Sequence, residues 1–389
     1  MSPIWKRLIV VLGMHRSGTS TMTRALQAMG VELGSRLMPA AEDNNAKGFW
    51  EDIELNELNI EMLGALSRAW HDLAPVGEDF VEVLCGNGFL SRAEELLCLK
   101  IGQSPVFGFK DPRVAMLLPF WQRVFDLCNV DVGYILALRN PISVAKSLAR
   151  REHFEFQKST LLWLGHVLSM MRHTIGAKRR ILVDYDRLVQ APGSELQRMA
   201  NRLNLVLDPA ELQKYERDFL DKNLRHSMHD AQNLSAGDFA MPLVIELYPL
   251  LQDAASDTLD IDAPILTKQV SDASVEFARH RYYLSLLDVL YQQSLSASRE
   301  VSDCNARIRA LQRAIDEARE HPLDAARTMR EREVPVSQIA APNDPFTSVQ
   351  TIRPGPEADD KRPDHERTPI QSDTSTGPGA LQVDETKPN

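Results

Sequence analysis

Gly13 and Gly18 follow an apolar run in "LIVVLGMHRSGTSTMTRAL", with Arg16 and Ser17 between them and Thr19 and Ser20 directly behind. These residue types in this order suit the capture of an oxyanion. Loop N–H groups and the open first turn of a helix point at one spot, and the helix dipole favours negative charge there by roughly 0.3–1 kcal/mol. Arg16 adds a cationic fork, and Ser17, Thr19 and Ser20 add hydroxyl donors. The pattern departs from the nucleotide-binding loop G-x-x-x-x-G-K-[ST] at one place: Thr19 stands where the lysine belongs. A lysine that spans two phosphates is therefore missing, which disfavours ATP hydrolysis. The loop suits a smaller anion, one phosphate carrying one further group.

A second set of residues lies in "LRNPISVAKSLARR", 138–151. Arg139 closes a predicted strand and Ser147 follows in the next helix. Their guanidinium and hydroxyl can converge on a single phosphate, the first as a bidentate donor. "FGFKDPR" contributes Lys110 at another predicted strand end, with Asp111 and Arg113 in the turn. "KGFWED" places Glu51 beside Phe49 and Trp50, whose low polarity raises a carboxyl's proton affinity. The same glutamate equally suits a helix cap.

These side chains require a scaffold of strands and helices in alternation. "RLIVVLG" is a continuous apolar run of the kind buried on both faces of a parallel sheet. "GTSTMTRALQAMG" reads as the following helix, closed by Gly30. "VGYILALRNP" is a further strand and "RRILVDYDRLVQAP" a strand with its exit loop, with "ISVAKSLARRE" and "KSTLLWLGHVLSMMRHTIGA" as helices between them. The expected fold class is α/β: a P-loop-like three-layer domain with a mostly parallel central sheet over 1–235. A helical extension over 236–320 and a Pro-rich tail over 321–389 follow. The tail holds ten of the chain's 22 prolines and one aromatic, Phe346. Its composition reads as disordered. In the extension, Val301, Cys304, Ile308, Leu311, Ile315 and Ala318 alternate at spacings of three and four, a short coiled-coil seam. It serves either self-association through residues 276–320 or packing on its own domain.

Composition narrows the function classes. A net charge of −10 argues against nucleic acid as a partner. Cys85, Cys98, Cys128 and Cys304 show no metal-ligand spacing, and no metal is expected. No stretch is long and apolar enough for a transmembrane span, and the reading for localisation is cytoplasmic.

"GMHRSGTS" followed by "RNPISVAKSLARR" resembles the sulfotransferases that use 3′-phosphoadenosine 5′-phosphosulfate (PAPS), in a bacterial branch, over residues 7–230. "GFWEDIELNELN", "FGFKDPR" and "ILVDYDRLVQAP" add to the likeness. The resemblance implies PAPS as co-substrate and an acceptor that is a glycan or glycolipid. It implies that Gly13, His15, Arg16, Ser17, Gly18, Thr19 and Ser20 grip the 5′-phosphosulfate, and that Arg139 and Ser147 grip the 3′-phosphate. Arg16 would contact the transferred group, and Lys110 would steady the leaving phosphate. The R-K-G loop of the cytosolic branch has no counterpart after residue 220. Arg225, and with less weight His226, stand in its place in "DKNLRHSMHD". The general base would be a glutamate, Glu51 or alternatively Glu42. A nucleotide or sugar kinase predicts the lysine that Thr19 replaces. A non-catalytic scaffold on the same core predicts no need for Arg16 or Glu51.

Overall fold

The computed structural model describes residues 6–41, 45, 47–220 and 241–320. By packing, the chain divides into two units, Met1–Ile308 and Arg309–Asn389. The first holds a four-stranded sheet of β1 (Arg7–Leu12), β2 (Val106–Lys110), β3 (Asp131–Leu138) and β4 (Arg180–Asp184), in the order β2-β1-β3-β4. Every pair is parallel, with Val11 opposite Lys110, Leu12 opposite Leu136 and Leu138 opposite Asp184. The strands read as unbroken apolar runs because both faces are buried. Leu8, Val10, Leu12, Phe107, Phe109, Leu136 and Leu138 face one core, and Ile9, Val11, Ile135, Ala137, Ile181 and Val183 face the other.

Helices cover both faces. α1 (Thr19–Leu26) and a 3₁₀ turn (Gln27–Met29) lie on the second face, and Gly30 closes that turn in the left-handed conformation. The other face carries α2 (Ile53–Ala65), α3 (Phe80–Gly86), α4 (Phe89–Ile101) and α5 (Val114–Leu127). Between β3 and β4 run α6 (Pro141–Glu152) and α7 (Phe156–His173). After β4 come α8 (Tyr185–Gln190), α9 (Pro192–Leu203) and α10 (Pro209–Lys214), the last continued by a π turn, Tyr215–Phe219. The extension supplies α11 (Pro242–Ala255) and α12 (Pro264–Arg279), whose Val244, Leu247, Leu266 and Phe277 join the first core. α13 (Arg281–Glu320) follows. α3, α4 and α5 are additions to the sequence reading, and α8 forms where an exit loop was expected, because the Asp184 side chain caps it by accepting from the N–H groups of Asp186 and Arg187. The Pro-rich tail lies outside the described residues.

Because all four strands run the same way, the ends of β1, β2, β3 and β4 deliver the loop after Leu12, Lys110, Arg139 and Tyr185 to one edge. The chain leaves β1 for β2 on one side and later fills β3 on the other. That reversal opens the crevice where ligands settle in open parallel sheets.

Candidate active site

The glycine loop is fixed by close packing as well as by backbone freedom. Gly18 has φ +83°, and a Cβ there would lie 2.1 Å from the Tyr185 ring. A Cβ on Gly13 would meet the Ala137 Cβ at 2.7 Å. Arg16, a non-glycine residue, is held at φ 69°, a conformation that costs a few kcal/mol at most and is retained where the surroundings enforce it. Here the enforcement is visible. Arg139 Nη1 donates to the Arg16 carbonyl at 2.8 Å, and Arg16 Nε donates to Ser147 Oγ at 2.8 Å. The Gly18→Ala variant is expected to lose at least about 1–2 kcal/mol from left-handed strain alone, and more from the collision with Tyr185. Its melting temperature against the parent measures this.

Arg139 and Ser147 arrive together because Asn140 and Pro141 start α6 directly after β3. The Asn140 side chain accepts from the N–H groups of Ile142 and Ser143 at 2.9 and 3.3 Å, and Pro141 fits the first helical turn. Ser147, Arg150 and Arg151 then share a face at three- and four-residue spacing, and all three line the same cavity as the glycine loop. Arg139 packs its guanidinium 4.5 Å from the Tyr185 ring centre. Its Nε is buried and has no hydrogen-bond partner among the described residues. A buried, unsatisfied guanidinium donor is costly unless an anion completes it.

The cavity measures about 480 Å³, within the range of small-molecule sites. Arg16, Lys47, Lys110, Arg113, Arg139, Arg150 and Arg151 line it, against the carboxylates of Glu51 and Glu152. A chain of net charge −10 thus concentrates positive charge at one place. Burial brings the Arg16 pKa down to about 10, assisted by Arg151, Arg139 and Arg150. His15, whose ring sits 4.3 Å from Trp70, is kept neutral by burial and by the cations Arg113, Arg151 and Lys110. The arrangement is short of negative charge and suits a polyanion.

Lys110 bridges the anion loop and a carboxylate. Its Nζ donates to Glu51 Oε1 at 2.5 Å and to Ser20 Oγ at 3.3 Å. An ammonium from the neighbouring strand thus stands against Ser20, the residue after Thr19. Ser20 Oγ also donates to the Phe49 carbonyl at 3.0 Å, which ties the segment before Glu51 to the loop. Glu51 is 5% exposed and precedes Asp52, whose side chain caps α2 by accepting from Glu54 and Leu55 N–H. The cap is thus Asp52, and Glu51 is left to face the cavity.

A polar network that the sequence reading missed holds this carboxylate. Asn56 Nδ2 donates to Glu51 Oε2 at 2.8 Å and to Asp111 Oδ2 at 3.2 Å. Asn59 Nδ2 donates to Asp111 at 3.0 Å, and Trp121 Nε1 donates to Asn59 Oδ1 at 2.8 Å. Arg113 closes the far side on Asp111. Burial pushes the Glu51 pKa up; Lys110 opposes that shift and Asp111 adds to it. The only signal in the sequence was the spacing of Asn56 and Asn59 on a helix that begins beside Glu51.

The structure thus brings Gly13, His15, Arg16, Ser17, Gly18, Thr19, Ser20, Glu51, Lys110, Arg139 and Ser147 to one sheet edge. Glu42, Arg225 and His226 lie outside the described residues. Among the described residues no group of His, Cys, Asp or Glu is arranged to hold a metal ion. No described helix is long and apolar enough to cross a membrane.

A cation-lined crevice at the switch point of a parallel sheet, entered by a glycine loop and a helix N-terminus, defines an α/β protein that handles phosphate or sulfate groups. The chain belongs to the sulfotransferase family, whose sequence profile matches residues 9–209. Among solved structures it is similar to the sulfotransferase domain from the Synechococcus PCC 7002 olefin synthase, at 18% identity and TM-score 0.34, covering 70% of this chain and 94% of that one. The sulfotransferase domain from the curacin biosynthetic pathway is 16% identical with TM-score 0.36, covering 70% and 98%. Sulfotransferase STF1 from Mycobacterium tuberculosis H37Rv is 12% identical with TM-score 0.29, covering 55% and 71%. No curated protein matches the chain.

Proposed function

We propose that the protein transfers a sulfuryl group from PAPS to a hydroxyl or amine of a carbohydrate or glycolipid acceptor. The observation that carries this reading is the contact of Arg16 with both Arg139 and Ser147 inside one cation-lined cavity. PAPS carries anionic groups on both the 3′ and 5′ sides of one ribose. The glycine loop and first turn of α1 take the 5′-phosphosulfate. Arg139, through its unpartnered Nε, and Ser147 take the 3′-phosphate, with Arg150 and Arg151 one turn further along α6. These two arginines supply the charge that an R-K-G loop brings elsewhere, alongside Arg225 from the sequence reading. Val189, Phe219 and Leu220 offer the adenine an apolar wall.

The reaction is an in-line displacement in which charge spreads over the sulfuryl oxygens, so catalysis rests on positioning and fixed donors. The acceptor oxygen or nitrogen attacks sulfur, the bond to the bridging oxygen breaks, and 3′-phosphoadenosine 5′-phosphate (PAP) leaves. Arg16 stabilises charge on the transferred group. Lys110 stabilises charge gathering on the leaving phosphate. Glu51 accepts the acceptor's proton; burial strengthens it as a base, and Asn56 aims its second oxygen. Ile60 and Trp70 add apolar surface to the cavity lining, against which the acceptor packs.

Calorimetry with PAP and with Mg-ATP tests the donor assignment. PAP is expected to bind at least tenfold more tightly (about 1.4 kcal/mol), because ATP has no 3′-phosphate for Arg139 and Ser147 and meets no lysine at Thr19. Tighter Mg-ATP binding would replace this reading with a kinase. A pure chain that binds PAP yet retains its biological role in both the Arg16→Ala and Glu51→Ala variants would replace it with a scaffold.

A further inference from the structure

α13 is 40 residues long. Only its beginning is anchored: Leu284 and Asp288 are buried, and Asp288 accepts from the N–H groups of Leu73 and Ala74 at 2.7 and 3.0 Å. Tyr291 still packs against His71 and Phe154 and Leu295 is half-buried, and from Ser296 onward the described side chains stand in solvent. Even so, Leu287, Leu290, Val301, Ile308, Leu311 and Ile315 are large, apolar and 46–65% exposed. They are not scattered. Leu287, Ser294, Val301, Ile308 and Ile315 repeat every seven residues, and Leu290, Ala297, Cys304 and Leu311 repeat in step three residues later. At 1.5 Å per residue this seam runs roughly 40 Å. A continuous apolar stripe of that period is the pattern of a helix that supercoils with a partner.

We propose that the stripe docks a second copy of this chain as an antiparallel two-stranded coiled coil centred between Val301 and Cys304. Side-chain size and charge select this pairing over its rivals. In the antiparallel arrangement Leu290 faces Ile315, Ser294 faces Leu311, Ala297 faces Ile308 and Val301 faces Cys304. Each small residue meets a larger one, so the layers fill. A parallel pair in register stacks Ser294 on Ser294 and Ala297 on Ala297, leaving two adjacent thin layers.

The residues flanking the seam make the same choice. Glu300 and Arg307 occupy equivalent positions in successive heptads. The antiparallel pairing centred at Val301 and Cys304 sets Glu300 against the second copy's Arg307, twice. Sliding the pair by one heptad sets Glu300 against Glu300 in one direction and Arg307 against Arg307 in the other. A parallel pair sets Glu300 against Asn305 and Arg307 against Gln312, with no charge pair formed. One register of one orientation therefore satisfies both size and charge, and the stripe is its own complement.

Sedimentation equilibrium of the full chain tests the association, and charge reversal tests the register. The full chain is expected to sediment as a dimer. Glu300→Arg is expected to raise the dimer dissociation constant about tenfold or more, since it sets like charges against each other at both flanks. Glu300→Arg with Arg307→Glu is expected to restore it. In a Cys304→Ser background, mixing Ser294→Cys chains with Leu311→Cys chains is expected to give a disulfide that neither gives alone. A monomer at every concentration, no rescue by the double reversal, or each cysteine variant linking to itself would overturn the proposal.

Discussion

Glu51→Gln is expected to lower kcat about 10²- to 10⁴-fold, the range a positioned general base contributes, while PAP binds at least as tightly as to the parent. Glutamine keeps the shape, but its one amide oxygen can accept from only one of the two donors Lys110 and Asn56, and it cannot accept the acceptor's proton. The pH profile gives the sharper readout. Burial holds the Glu51 pKa above the ordinary glutamate range. The base is the deprotonated form, so the parent's rate should rise with pH through that elevated value and level off above it. In Glu51→Gln this acidic limb should disappear, leaving a low rate that no longer climbs across the same interval. A variant that keeps the limb would move the base elsewhere, with Glu42 the next to be replaced.

The substitution also has a structural cost, because Lys110 is 3% exposed and Glu51 is the carboxylate it contacts. Removing one member of a buried ion pair strands the other, at about 3–5 kcal/mol. The stranded ammonium still reaches Ser20, and bound donor would give it a phosphate. PAP should therefore raise the melting temperature of Glu51→Gln by more than it raises the parent's, the opposite of what a collapsed site would show.

Much of the scaffold was legible because burial on both faces of a sheet leaves no room for polar residues. "RLIVVL" and "ILAL" could be little other than central strands. Arg139, Asn140 and Pro141 marked a strand end and a helix start through residue chemistry alone, and Ser147 followed by helical spacing. The glycine turn was legible for the same kind of reason, since Gly18 is needed both for its backbone angle and to let Tyr185 approach. What escaped reading is contact between residues distant in the chain. Nothing local in Asn56, Asn59 or Trp121 says that they converge on Glu51 and Asp111 across 50 or more residues. Arg150 and Arg151 carried no assignment from the sequence, and it is α6 that brings both to the cavity lining. Likewise the seam on α13 was visible only from Val301 onward, because Ser294 and Ala297 weaken the pattern that Leu287 and Leu290 resume.

Arg139→Ala should weaken PAP binding by about 2–5 kcal/mol, the cost of truncating one member of a desolvated charge pair, or roughly 30- to 5,000-fold in Kd. Two effects combine. The variant removes the guanidinium assigned to the 3′-phosphate, and it removes the donor that pins the Arg16 carbonyl. Nucleotide choice separates them. Loss of the 3′-phosphate contact weakens PAP and spares adenosine 5′-phosphate, which has no such group. Loosening of the glycine loop weakens both. Ser147→Ala isolates the first effect further, since its hydroxyl touches Arg16 through the side chain only. It should narrow the gap between the two nucleotides by about tenfold, or about 1.4 kcal/mol. If Arg139→Ala and Ser147→Ala each lowered both affinities in equal proportion, the residues would serve the loop and not the phosphate. The 3′ end of the donor would then have to lie against Arg150 and Arg151 instead.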